Sequence, residues 1–217
     1  EQERNNAALI LPGGPKPYYI SYTVARYRRF QVVGSLGGFF HSSFSQWQMN
    51  GGVQVILGDY QNNSDVSYMD QIAPAQLPSE VDYDVIRRGL WESSDMMYKY
   101  ALGAMAQKTN YLQQNPKSPD EATLADMQQL PAVTRLQERE VKYEIDLAGL
   151  QQLVTEVSAV FKEYKDIYNS SVSVSGTEVD LYRLTTEGVQ LKSPGGFVNI
   201  SVSAEASADD GSKVGDS

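Results

Sequence analysis

The feature that most restricts the fold of this 217-residue sequence is the period of its apolar residues, which changes from about two to about 3.6 and back. Apolar and polar residues alternate from Tyr18 to Val24 and again up to Leu57, a period typical of strands. A helical period follows near residues 80–114 and 146–164, and alternation returns over residues 167–205. This order predicts an α+β fold, in which a mixed or antiparallel sheet from both strand groups is covered on one face by two long helices.

Glycine, proline and polar residues indicate where the strands turn. A tight turn is expected between the strands Tyr18–Val24 and Tyr27–Val33. In the C-terminal group, turns are expected at Ser175–Gly176, Glu187–Gly188 and Pro194–Gly196. The sequence therefore predicts several short strands in each group.

The last predicted strand has the most regular alternation. Its apolar face consists of Val198, Ile200, Val202 and Ala204. Its polar face consists of Asn199, Ser201, Ser203 and Glu205. The apolar face is predicted to lie in the core and the polar face in solvent.

Each helical segment carries one apolar stripe that is predicted to face the core. The first stripe consists of Ile86, Leu90, Met97, Ala101, Met105 and Leu112. The second begins after a capping Asp146 and consists of Leu147, Leu150, Val154, Val157, Phe161 and Tyr164.

The two ends differ from the body of the chain. Prolines and glycines from Pro12 to Pro17 predict an extended lead-in over residues 1–16, followed by one domain over residues 17–206. Residues 207–217 are polar and small, which predicts a linker to a further domain. Because the sequence starts at Glu1 rather than Met, we expect that an upstream segment was removed, by a signal peptidase or by design. A periplasmic or secreted location is therefore expected, and a cytoplasmic one stays open.

Composition excludes several classes of function. The chain carries 18 Lys and Arg against 27 Asp and Glu, a net charge of −9, which disfavours nucleic acid as a partner. No apolar run approaches the roughly 18 residues of a membrane span. With no Cys and with His41 as its one histidine, the sequence offers no thiolate site and no zinc site of two or three imidazoles.

Catalytic motifs are missing as well. A serine triad would have to use His41, but no G-x-S-x-G motif accompanies it. The glycines of Gly34–Gly38 lack the Lys-Ser/Thr of a phosphate-binding loop. Asp209–Gly211 suggests calcium but lacks a complete EF-hand loop. We therefore expect no catalytic residue, metal ligand or cofactor in this chain, and neither zinc binding nor peptide cleavage by it.

Several segments together resemble the TldD/PmbA family, which is related to metallopeptidases and also labelled modulator of DNA gyrase. They are Pro17–Tyr22, Val33–Gly38, Val53–Tyr60, Arg183–Gly188, Val198–Ala204 and Asp209–Gly211. The match spans residues 17–211 and corresponds to the N-terminal domain of the family.

The resemblance implies a two-part protein, in which a larger downstream domain of zinc-bearing relatives carries a His-Glu-x-x-x-His helix. None of those zinc ligands can be transferred to a position in this chain, so any zinc would belong to the absent domain. The segment Lys117–Glu140 is longer than the connection usual in the family. In zinc-bearing relatives the N-terminal domain resembles a wall of a peptide-admitting chamber within a dimer.

Two functions follow as alternatives. The chain is expected to be the noncatalytic N-terminal domain of a TldD/PmbA-like zinc metallopeptidase, contributing dimer contacts and a surface that receives peptide or unfolded polypeptide. Alternatively, it belongs to a secreted or periplasmic, metal-free binding protein that kept the fold without the chemistry. In either case Tyr18, Tyr22 and Ile200 are the predicted contact residues, on a sheet edge near Tyr18–Val24 or Val198–Ala204. The full-length protein is expected to form a homo- or hetero-oligomer.

Overall fold

The structure is a computed structural model that describes residues 2–65, 72–138, 144–207 and 213–216. Its helices are α1 (Gln2–Ala8), α2 (Tyr83–Gln114), α3 (Pro119–Ala122) and α4 (Leu147–Ala159), the last followed by a 3₁₀ turn at Val160–Glu163. Its strands are β1 (Pro17–Ser35), β2 (Gly38–Phe44), β3 (Gln48–Leu57), β4 (Ala73–Ala75), β5 (Thr134–Leu136), β6 (Ile167–Thr185), β7 (Gln190–Ser207) and β8 (Lys213–Asp216). No helix in this described part is both long and apolar enough to cross a membrane.

These strands form one sheet with the order β4-β3-β1-β6-β7-β5, in which β2 also pairs with β1 and β8 with β7. The sheet is mixed, because β5 pairs with β7 in parallel, whereas the pairs β1–β2, β3–β4 and β7–β8 are antiparallel. The N-terminal β1 lies beside the C-terminal β6. The predicted α+β fold, with both strand groups in one sheet, is therefore confirmed.

The chain divides into two compact units, each containing strand segments from both groups and one long helix. The first unit consists of Glu1–Arg26, Gln48–Glu138 and Asp180–Ser193. The second consists of Tyr27–Trp47, Arg139–Val179 and Pro194–Ser217.

In the first unit α2 packs on β3 and β4. The helix begins after Asp82, whose carboxylate accepts the backbone N–H groups of Asp84 and Val85, and it ends at the cap Asn115. Its predicted stripe is correct at Met97 and Ala101, which are buried. The rest of this core consists of Leu9, Ile20, Tyr22, Val53, Val55, Leu57, Ala73, Ala75 and Tyr98.

The buried face of α2 also contains residues that the apolar pattern did not mark. Ser93 donates its hydroxyl to the Pro74 carbonyl at 3.0 Å. Tyr98 is 1% exposed and donates its hydroxyl to the Pro15 carbonyl at 2.8 Å. These bonds attach the helix to neighbouring segments at specific points, because a buried hydroxyl requires a partner.

In the second unit the predicted cap of α4 is confirmed, since the Asp146 carboxylate accepts the N–H of Gly149 at 3.0 Å. Val154 is fully buried in a core that also contains Phe30, Val32, Val172 and Val174. The stripe is wrong at its far end, where Val157 and Tyr164 are 38% and 58% exposed. For Tyr164 the reason is that the helix ends at Ala159, so the helical period does not continue to this residue, whereas Val157 lies within the helix and is nevertheless partly exposed.

The extended lead-in predicted for residues 1–16 is wrong for its first half. Gln2–Ala8 is helical, and Leu9 directly after it is buried in the core of the first unit. The prolines and glycines lie beyond this helix, where Gly13 adopts a left-handed conformation with φ of 76° in a turn closed by the Gly14 N–H and the Leu11 carbonyl.

Three of the predicted turns are absent, because β1, β6 and β7 continue through them. The glycine at 176 serves close packing instead, since a Cβ there would lie 2.4 Å from the Phe30 ring. A Cβ at Gly196 would lie 2.7 Å from the Thr177 carbonyl oxygen. The turn at Glu187–Gly188 is confirmed, with φ of 86° at Gly188.

Candidate functional site

One side of β7 is an unpaired strand edge within the second unit. The N–H of Ser207 donates to the Asp166 carbonyl on the β6 side at 3.1 Å. On the other side, β8 pairs only with Ala204–Ser207. Among the described strands of this unit, none lies along the outer side of β7 from Pro194 to Ser203. We call residues 194–203 the open edge.

The main-chain groups of the open edge alternate in direction. Ser207 bonds towards β6, and the Phe197 carbonyl oxygen also faces β6, beside Gly176. Backbone groups of successive residues in a strand point to opposite sides in the plane of the sheet. Odd-numbered residues therefore bond towards β6, whereas Val198, Ile200 and Val202 direct their N–H and C=O groups outward.

The side chains of the open edge are exposed, contrary to the prediction of a core face. Val198, Ile200 and Val202 are 64%, 63% and 39% exposed, and Phe197 on the opposite face is 66% exposed. The alternation was read correctly as a strand. Its assignment to the core was wrong, because the buried cluster of this unit forms on β1, β6 and α4 instead.

The open edge is also uncharged. Residues 193–204 contain no Asp, Glu, Lys or Arg, although the chain has a net charge of −9. Soluble proteins usually protect an edge strand with charges, prolines or bulges, and here Pro194 is the one such residue in that run. Exposed apolar residues on an unprotected edge are typical of a contact surface.

Tyr18, a predicted contact residue, is instead half-buried within the first unit. Its hydroxyl donates to the Met127 sulfur at 3.2 Å and accepts from the Asn63 side-chain amide at 3.1 Å. Its ring packs edge-on against Tyr60 at 5.2 Å. Burial raises the pKa of Tyr18 to about 12. These contacts hold the ring inside the fold.

Tyr22 is 4% exposed, with its hydroxyl 2.7 Å from the Asn5 amide and 2.9 Å from the Ser94 hydroxyl. The segment Tyr18–Val24 is not a sheet edge, because β1 lies between β3 and β6. Of the three predicted contact residues, Ile200 is therefore the one whose side chain is largely exposed and which lies on an open edge.

A polar cluster around Asp126, which the sequence reasoning did not find, holds the long insertion in place. The Asp126 carboxylate accepts from Lys108 at 2.5 Å, from the Asn63 backbone N–H at 2.9 Å and from Lys117 at 3.4 Å. Burial alone raises the pKa of Asp126, but these hydrogen bonds and the two lysine charges outweigh it and hold the pKa below its ordinary value of 3.8. The cluster is structural, since its groups are already bonded to one another.

Two further features considered from the sequence are His41 and the Asp209–Gly211 segment. His41 is exposed on β2. Within the described residues, no three His, Cys, Asp or Glu side chains are grouped to hold a metal ion. The Asp209–Gly211 segment lies outside the described residues. A shallow groove of 480 Å³ on α2 is lined by Gln76, Asp84, Val85, Arg88, Gly89 and Glu92.

The sequence matches no protein-family model, and a search of curated proteins finds no relative. Solved structures are similar in fold. A candidate modulator of DNA gyrase from Thermotoga maritima superposes with a TM-score of 0.50 and 8% identity, over 91% of this chain and 37% of that one. TldE from Thermococcus kodakarensis has a TM-score of 0.45 and 13% identity, over 92% of this chain and 39% of that one. A candidate modulator of DNA gyrase from Bacteroides thetaiotaomicron has a TM-score of 0.45 and 11% identity, over the same shares of the two chains.

The protein is therefore an α+β domain whose fold is shared with a much longer protein. That fold is TldD/PmbA-like, as the motifs predicted, and the Thermotoga structure carries this conclusion. At 8% identity the likeness concerns the fold, and this chain spans 37% of the length of that structure.

Proposed function

We propose that this chain is a noncatalytic contact domain of a TldD/PmbA-like protein and that it accepts an extended polypeptide strand on the open edge of β7. The observation that carries the proposal is an uncharged, apolar strand edge, with Val198, Ile200 and Val202 exposed and no described strand of the second unit on the side of β7 away from β6. Such an edge binds a strand by main-chain hydrogen bonds.

The mode of binding follows from the backbone directions. Val198, Ile200 and Val202 each present one donor and one acceptor outward, so an incoming strand adds a ladder of regularly spaced bonds. Because main-chain groups are common to all sequences, this ladder contributes affinity with little sequence preference. The three apolar side chains favour a strand with apolar residues at alternate positions.

In the longer protein that the shared fold suggests, this domain would supply oligomer contacts and a surface for peptide or unfolded polypeptide. Zinc and peptide cleavage, where they occur, would belong to another domain. The alternative is a metal-free binding protein in the periplasm or outside the cell. The peptidase domain and the metal-free binding protein would both bind a polypeptide strand at the open edge. A His-Glu-x-x-x-His motif downstream of Ser217 would distinguish the peptidase from the binding protein.

Hydrogen exchange at single residues tests the contact. The probe is carboxymethylated α-lactalbumin, which stays unfolded, added to the native chain. The outward amides of Val198, Ile200 and Val202 are expected to exchange more slowly in its presence, whereas the amides of Asn199 and Ser201, which bond to β6, should not change. At a dilution where the chain is monomeric, equal exchange of all these amides with and without the probe would show that the open edge does not accept a strand.

Two substitutions at one position provide the matched comparison. Ile200→Pro removes an outward donor but no bond to β6, so it should abolish the protection while the fold survives. Ile200→Thr keeps the donor and the β-branched shape, and it should retain most of the protection. If both variants lost the protection equally, the side chain rather than the main chain would be responsible, and main-chain pairing would be wrong.

A further inference from the structure

We infer that the strand accepted by the open edge is the same segment of a second copy of this chain, paired antiparallel about a two-fold axis at Ile200. This inference rests on the proposed function, because it names the partner of the site described there. It is carried by the sequence pattern, the backbone directions and the charge of the open edge.

The residue pattern of the open edge is self-complementary about Ile200. In an antiparallel pair centred on this residue, Ile200 lies opposite its own copy and Val198 opposite the partner's Val202. On the other face, Asn199 lies opposite the partner's Ser201. Apolar residues therefore meet apolar residues, and polar meet polar, which is the arrangement that stabilises cross-strand pairs.

The backbone directions fit the same register. Ile200 directs its N–H and C=O outward, so the two copies of Ile200 exchange a pair of hydrogen bonds across the axis. Val198 and Val202 also face outward, and each exchanges a pair of bonds with its counterpart, for a total of about six intermolecular bonds. A two-fold axis at Asn199 or Ser201 would instead place groups at the centre that already bond to β6.

Charge limits where two copies can meet. Each copy carries a net charge of −9, so most of their surfaces repel one another. The run of residues 193–204 is uncharged, and pairing there places no like charges opposite each other. The unpaired stretch of β7 is also centred close to Ile200, because the pairing of β8 with β7 begins at Ala204 and Pro194 interrupts the other end.

Disulfide cross-linking tests the register, and the absence of native cysteines makes each introduced thiol unique. In the two-fold pair, the Cα atoms of Ile200 and its copy lie about 5.5 Å apart, within the range that a disulfide spans. The two copies of Val198 lie about 14 Å apart, too far for one. Under mild oxidation Ile200→Cys should form covalent dimer about tenfold faster than Val198→Cys.

Two further variants complete the test. The double variant Val198→Cys/Val202→Cys places thiols opposite each other and should cross-link about as fast as Ile200→Cys. Adding Ile200→Pro to this double variant removes central donors and should slow the reaction about tenfold, to the rate of Val198→Cys alone. Circular dichroism of each variant verifies that the domain is folded.

The outcomes separate this inference from the proposed function. Equal rates for Ile200→Cys and Val198→Cys would mean random collision and would overturn pairing about Ile200. If unfolded lactalbumin still protected the outward amides in that case, the open edge would accept strands but not its own copy. If neither a second copy nor the unfolded chain altered those amides, both proposals would be wrong.

Discussion

Replacing Asp126 with Asn is the sharpest test of what holds the insertion to the first unit. The carboxylate is 16% exposed and contacts Lys108, which is 13% exposed, and the backbone of Asn63. Asp126→Asn retains the shape and one acceptor but removes the charge. The Lys108 ammonium then keeps only part of its hydrogen bonding, through the Asn63 carbonyl at 2.7 Å.

The expected loss follows from these contacts. A hydrogen bond to a charged group contributes about 1.5–3 kcal/mol, and breaking a fully buried ion pair costs about 3–5 kcal/mol. Because this pair is only partly buried and one acceptor remains, we expect the unfolding free energy to fall by about 2–3 kcal/mol. For a chain of this size that corresponds to a decrease in Tm of about 4–12 °C.

The effect should also depend on pH with a defined sign. The folded-state pKa of Asp126 lies below its ordinary value of 3.8, so the stabilisation is fully present above that pH and is lost as the pH falls through the folded-state pKa. The wild type and Asp126→Asn should therefore differ most near neutral pH and converge in acid.

Urea unfolding at pH 7 and at pH 2 measures both quantities. Asp120→Asn is the matched control, because Asp120 is exposed on α3 in the same insertion, and it should change stability by less than about 0.5 kcal/mol. The reasoning would be refuted by an Asp126→Asn variant as stable as the control at pH 7, or by a difference that persists undiminished at pH 2.

Three further predictions concern stability. Val154→Ala leaves a cavity in the fully buried core of the second unit and should lower the unfolding free energy by about 2 kcal/mol, measured by urea denaturation, whereas Val157→Ala on the exposed side should change it by less than about 0.5 kcal/mol. Gly58→Ala should cost more than about 1 kcal/mol by the same measurement, because φ is 97° and the new Cβ would lie 2.3 Å from a backbone oxygen. Burial raises the pKa of Tyr18 to about 12, and a hydrogen bond to a carboxylate raises the pKa of Tyr60 to about 12, so absorbance titration should show both ionising well above the ordinary tyrosine pKa of 10.0. Because these folded-state values are raised, their contribution to stability should be complete below pH 10 and lost between about pH 10 and 12.

The period of the apolar residues by itself determined the order of the two strand groups and the two long helices between them. Asp82 and Asp146 cap α2 and α4, and the helical stripes are correct at Met97, Ala101 and Val154. These features depend on residues within a few positions of each other, so a local pattern contains the information. The turn at Glu187–Gly188 was predictable for the same reason.

Glycines show where the local sequence pattern does not distinguish a turn from a continuous strand. Gly188 has a positive φ and forms a turn, whereas Gly176 and Gly196 lie within strands because a neighbouring strand leaves no room for a Cβ. A sequence presents both kinds of glycine in the same way. Only the packing against Phe30 and Thr177 distinguishes them, and these partners are distant in the chain.

The tertiary structure alone decided which alternating strand is buried and which is exposed. Tyr22 and Ile200 both lie on regular strands, yet Tyr22 is buried under α2 and Ile200 lies on the open edge. The bonds of Asp126 likewise join residues 18 and 63 positions apart. A period of two specifies that a strand has two different faces. Which face is covered, and which edge stays open, depends on where the chain places its other strands and helices.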